Sequence, residues 1–350
     1  MNFLDLPSEI PQEIFKLTIR SPNVPVSPSL SQDGRHQLSR DAFEGGGIWL
    51  LQPQNPALGL LLVNRQIHEE TKSVIDIIPN TYDLDIMFVK HHGLWTTWSL
   101  PKLPKTHYVD HVQVTVRIFD PNDDLDPRFQ KSLSFRGGDG GPELAVWSFY
   151  HLLGNLIRRG PGYIGHGIKS ECKAPYIIRA IDIDILKPTD GAAHKSIVCT
   201  DKEFEKRKPR VNKAWLHNDA SMPPEERLAQ YMISNMELCL CFGRYTGSYA
   251  MFVFENVTEI IGFRTNGKEF SMFDLRKRLE AHREAYLSSP DVSDNQKRIY
   301  QEWVAYVEDR RVRMEKGLEP NHDRPAGGWW RWSEHDMFQE ITIPLIMPKA

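Results

Sequence analysis

The sequence has few cysteines and no long uninterrupted apolar run. Among its 350 residues it has only four cysteines: Cys172, Cys199, Cys239 and Cys241. Four are too few for a disulfide scaffold. No run approaches the roughly eighteen apolar residues of a membrane helix, and the first residues lack the basic start and apolar core of a secretory signal. We therefore expect an intracellular protein, cytoplasmic or nuclear or both, with no membrane span.

Charge of either sign is also not in excess. The chain has 43 Lys and Arg against 46 Asp and Glu, a net charge of −3, which gives no field that favours nucleic acid or an anionic membrane. A short basic run at 206–210 is compatible with a nuclear-import signal, but Glu203 and Glu205 beside it also suit a solvated loop. Because no aromatic side chains are interleaved with the basic residues, we expect no nucleic-acid partner.

Recognisable catalytic motifs are missing. Residues 160–165 match Gly-x-Gly-x-x-Gly, but no strand precedes them and no helix follows directly, so they indicate a helix-ending loop. We interpret three residue pairs as strand or core positions, not as metal ligands or acid–base groups: His107 with His111, Asp182 with Asp184, and Cys239 with Cys241. The sequence therefore predicts a protein that is not an enzyme and has no cofactor or metal.

The N-terminal third contains two amphipathic segments. Ile10, Ile14 and Leu17 recur at helical spacing and predict a first helix within 1–20. Residues 21–57 are rich in Pro, Ser and Gly and predict a flexible loop, with one extended piece at 48–51 that could pair with a later strand. A second helix is predicted at 58–78, where it begins a body that extends to residue 350.

Alternating strand and helix signals fill this body. Helices are predicted at 143–159, 224–240, 273–286 and 294–316, and strands at 82–88, 109–119, 176–186, 250–254, 259–264, 270–273 and 340–346. Asn266-Gly267 indicates a hairpin turn between two of the strands. The predicted fold class is α+β, in which an N-terminal helical region packs on a mixed sheet with further helices.

Two stretches carry a resemblance to a known family. Residues 3–10 and 13–15, Phe-Leu-Asp-Leu-Pro-Ser-Glu-Ile and Glu-Ile-Phe, resemble the start of an F-box. Residues 60–70, Leu-Leu-Leu-Val-Asn-Arg-Gln-Ile-His-Glu-Glu, followed by Asn-Thr-Tyr at 80–82, are similar to a helix and strand start found in F-box-like proteins of filamentous fungi. Beyond residue 82, only the loose strand–helix pattern matches.

The resemblance implies a helical hairpin that docks on the Skp adaptor of a cullin-type ubiquitin ligase, while the body holds an unknown protein target. The residues implied for adaptor binding are Leu6, Pro7, Glu9, Ile10, Ile14 and Phe15. On this basis we expect a protein–protein interaction protein, specifically an F-box-like substrate receptor. A structural or scaffolding protein whose F-box-like helices belong to its core is the alternative, and an unrecognised enzyme is a minor one.

Two further aromatic features leave similar alternatives open. In the predicted helix at 294–316, an apolar stripe is compatible with an interaction helix or with packing on its own domain: Ile299, Trp303, Tyr306 and Val307. Near the C-terminus, three tryptophans would form an interaction patch if exposed, or cap the core if buried: Trp329, Trp330 and Trp332.

Overall fold

The computed structural model describes residues 7, 9–21, 24–37, 47–89, 92–119, 125–129, 149, 152–157, 175–189, 222–242 and 247–325. Several predictions fall outside these residues: the position of Leu6, the loop at 160–165, the basic run at 206–210, most of the helix at 143–159, the tryptophans at 329–332 and the strand at 340–346. Within the predicted helix at 143–159, residues 152–157 are helical.

An eight-stranded mixed sheet organises the described chain, in the spatial order β1-β2-β4-β3-β5-β6-β7-β8. The strands are β1 His36–Gln37, β2 Ile48–Leu50, β3 Thr81–Val89, β4 Gly93–Ser99, β5 Tyr108–Phe119, β6 Ile177–Leu186, β7 Val257–Thr265 and β8 Lys268–Asp274. The pairs β2/β4, β3/β5, β5/β6 and β6/β7 are parallel, and the other three pairs are antiparallel. The predicted α+β class and mixed sheet are confirmed.

The central strands form because β-branched residues alternate with polar ones. In β5, Val112, Val114 and Val116 face the main core, and in the parallel register Val112 and Val114 lie beside Ile181 and Ile183 of β6. Such side chains pack well on a pleated surface. The residues between them in β5 and β6, such as Gln113 and Asp182, point to the opposite face, which is polar there. Toward β2, β3 and β4 the opposite face is also buried, in a second apolar cluster that includes Trp49, Met87 and Trp95.

Helices cover the apolar face. They are α4 Pro224–Cys239, α5 Gly247–Asn256, α6 Leu275–Ser288 and α7 Asp294–Glu315. Helix α7 begins with a capping box, in which the Ser293 side chain accepts from Gln296 N and the Gln296 side chain accepts from Ser293 N. Trp303 and Val307 of α7 are buried in the main core. The α7 stripe therefore packs on its own domain.

One predicted strand, at 250–254, is wrong. These residues belong to helix α5, in which Ala250, Met251, Val253 and Phe254 are buried. Because the segment from Tyr249 to Phe254 is apolar throughout, its sequence has no period that separates a buried strand from a buried helix. Strand β4 is not predicted from the sequence. Its seven residues are all buried, and apolar and polar residues do not alternate along it.

The predicted second helix is two helices, α2 Leu58–Leu61 and α3 Arg65–Ile77. Asn64 has an extended backbone at φ −159°, and its side chain accepts a hydrogen bond of 2.9 Å from Ile67 N. Asparagine is a preferred N-cap because its side chain satisfies an otherwise unpaired N–H of the first turn. Asn64 therefore starts a new helix within the predicted one. The first helix, α1, is Glu9–Ile19.

The predicted loop at 21–57 contributes strands β1 and β2 to the sheet. Its extended piece pairs with β4, as the sequence predicted. Arg35 holds the segment in place because its buried guanidinium donates to the carbonyls of Ser31, Trp49 and Thr96 at 2.8–3.1 Å.

The predicted hairpin turn at Asn266-Gly267 is confirmed, with φ of 51° and 77°. No helix in the described part of the chain is long and apolar enough to cross a membrane.

Candidate functional site

Helices α1, α2 and α3 form an N-terminal helical unit, residues 9–20 and 57–78, with a small core of its own. Phe15 and Ile19 of α1 pack with Ala57, Val74 and Ile78 in a cluster separate from the main core. The helical spacing of Phe15 and Ile19 puts both on one face of α1. That face holds α1 against α3, which leaves the opposite face of α1 open to solvent.

The residues predicted to bind the adaptor divide between these two faces. Phe15 is only 1% exposed, whereas Ile10 and Ile14 are 49% and 39% exposed. Pro7 and Glu9 are also exposed. Leu17, which belongs to the helical pattern but not to the residues predicted for adaptor binding, is 60% exposed. Because Ile10, Ile14 and Leu17 are spaced four and three residues apart, they form one exposed apolar stripe along α1, the α1 stripe.

Exposed apolar side chains are concentrated in this unit. Besides the α1 stripe, the unit exposes four more: Leu58, Leu62, Val63 and Ile77. The whole of 222–325, apart from the undescribed 243–246, also exposes four: Leu238, Met272, Val312 and Leu318. Single exposed apolar residues are ordinary, but a concentration of them marks a contact surface. The N-terminal helical unit is therefore the candidate interaction site.

The loop that follows β4 contacts the C-terminal end of α3 through two lysines. Lys102 Nζ donates to the carbonyls of Ile75 and Ile78, at 2.9 and 2.5 Å, at the C-terminal end of α3. These carbonyls include acceptors that the helix leaves unpaired, and a cation there also interacts favourably with the helix dipole. Partial burial lowers the pKa of Lys102. A salt bridge of 2.9 Å joins Lys105 to Asp76 beside it.

A group of polar side chains lies on the face of the sheet opposite helices α4–α7. His111 Nε2 is 2.7 Å from Asp182 Oδ2, and Arg264 Nη2 is 3.7 Å from the same oxygen. No partner of Asp182 is predictable from the sequence, because His111 reaches it only through the β5/β6 register. A Cβ on Gly262 would lie 2.5 Å from Asp182 Oδ1, so any larger residue at this position would displace the Asp182 carboxylate. Asp184 instead accepts from Gly267 N at 3.0 Å.

Asp83 lies on the same polar face, and burial raises its pKa, with His111 and Arg20 acting in the opposite direction. No described residue forms a hydrogen bond or salt bridge with its carboxylate. A pKa raised by folding means that ionisation costs stability, a cost that is absent below the unfolded pKa and grows as pH rises.

We expect Asp83→Asn to raise the free energy of unfolding at pH 7 by roughly 0.5–2 kcal/mol. The gain should shrink as the pH falls toward the unfolded pKa of about 4 and disappear only below it, where Asp83 is protonated in both states. Urea denaturation at pH 4, 5.5 and 7 measures this. A gain that is the same at all three values would show that the ionised carboxylate is not its source.

His107 and Cys239, two further candidate ligands, lie in different parts of the fold. His107 Nδ1, just before β5, lies 3.3 Å from Glu319 Oε2. Among the described residues, no group of three His, Cys, Asp or Glu side chains could hold a metal ion. Cys239 is buried, and burial raises the pKa of its thiol to about 12. It therefore packs as an apolar side chain.

A small cavity of about 30 Å³ lies between α4 and the sheet. Its lining is almost wholly apolar and includes Phe88, Leu228, Met232 and Met236. A reaction site needs several polar groups that converge on one point. This cavity does not supply them.

The described residues thus define an α+β protein with a mixed sheet, helices on its apolar face, and an N-terminal helical unit that exposes an apolar stripe. No family model, curated protein or solved structure matches this chain.

Proposed function

We propose that this chain is a protein–protein interaction protein that docks on a partner through its N-terminal helical unit. The α1 stripe of Ile10, Ile14 and Leu17 is the observation that supports the proposal. An amphipathic helix commonly binds a partner groove through apolar anchors at this spacing. The buried face of α1 holds the helix in place, so the stripe is presented without a further folding step.

The partner we propose is the Skp adaptor of a cullin-type ubiquitin ligase, and the chain is then a substrate receptor inside the cell, in the cytoplasm or nucleus. This assignment rests on the resemblance of residues 3–15 and 60–70 to F-box-like proteins. The α+β body would hold the protein target. In the alternative, a structural or scaffolding role, the helical unit only completes the fold, and the burial of Phe15 and Ile19 is compatible with that role as well.

The stripe is large enough to matter for affinity. Full burial of an Ile or Leu side chain contributes about 1.5–3 kcal/mol. Since these three are roughly half exposed in the free chain, a partner groove would gain about 1 kcal/mol from each. A total of about 3 kcal/mol corresponds to somewhat more than a hundredfold in the dissociation constant.

We expect the double variant Ile10→Asp plus Ile14→Asp to weaken binding to purified Skp adaptor by about a hundredfold or more, because the charges would be desolvated in the groove. Isothermal titration calorimetry with the full chain measures this. The matched control is Leu238→Asp on α4, whose side chain is 52% exposed. Phe15→Asp is unsuitable because Phe15 is buried and its replacement would disrupt the unit itself.

Two outcomes would contradict the proposal. If the intact chain does not bind the adaptor at all, adaptor docking is rejected and the structural role is favoured. If the double variant binds as tightly as the intact chain while its thermal unfolding is unchanged, the α1 stripe is rejected as the docking surface. If instead both the double variant and the Leu238→Asp control lose binding, the surface is wrongly assigned.

A further inference from the structure

We draw no further inference here: the strongest candidate, the outer edge of β8, which no described strand pairs, carries a bulge and exposed Lys268 and Glu269 that oppose strand addition, and nothing in the structure shows what covers it.

Discussion

Replacing Arg117 by methionine is expected to lower the free energy of unfolding by about 3–5 kcal/mol, because it strands a buried carboxylate. Arg117 on β5 donates from Nε and Nη2 to the two carboxylate oxygens of Asp85 on β3, at 2.7 and 2.6 Å. The Asp85 side chain is only 4% exposed. Burial raises the pKa of Asp85, and the contacts of Arg117 and the charge of Arg35 act against that rise. Urea denaturation at pH 7 measures the loss.

A double variant separates the stranded charge from the lost packing. Adding Asp85→Asn to Arg117→Met removes the unpaired carboxylate, so the double variant should be more stable than Arg117→Met alone by at least about 1 kcal/mol. Arg264→Met is the control, because Arg264 is half exposed and its contact with Asp182 is long, and it should cost less than about 1 kcal/mol. If Arg117→Met costs no more than this control, the Asp85–Arg117 pair does not stabilise the fold.

How far the sequence predicts the fold depends on how each segment is buried. Strands β5 and β6 were predicted because one face is apolar and the other polar, which leaves a period of two in the sequence. Helix α7 is predicted for the corresponding reason, since its apolar stripe recurs at three- and four-residue steps. Strand β4 and helix α5 are buried on nearly all sides. In such segments apolar and polar residues do not alternate between a buried and an exposed face, so periodicity cannot identify them.

The candidate site shows a similar limit. The spacing of Ile10, Ile14 and Leu17 predicts an amphipathic α1, but it cannot tell whether these residues or Phe15 face the protein. That depends on contacts between Phe15 and residues such as Val74, almost sixty positions away in the chain. The His111–Asp182 pair depends on the register of β5 against β6, which the long connection between the two strands does not determine.

Trp303→Ala is the second substitution with a large expected effect. The Trp303 side chain is fully buried on α7 and makes edge-on and tilted ring contacts with Phe242 and Tyr300, each at 5.6 Å. Truncation of a buried Trp to Ala typically costs about 3–5 kcal/mol, since it removes buried apolar surface and leaves a cavity. Val312→Ala on the exposed side of α7 is the matched control and should change stability by less than about 0.5 kcal/mol. Urea denaturation at pH 7 measures both.

Trp303→Phe tests the hydrogen bond separately from the packing. Trp303 Nε1 donates to Glu255 Oε1 at 2.7 Å. Burial raises the pKa of Glu255, while Arg324, this N–H and Arg310 act in the opposite direction. Because the N–H stabilises the ionised carboxylate, the hydrogen bond adds to the free energy of unfolding at high pH, and this contribution is lost as Glu255 becomes protonated. The stability difference between the wild-type protein and Trp303→Phe should therefore shrink from pH 8 to pH 4. A difference that does not change with pH would mean that the N–H does not stabilise the ionised carboxylate.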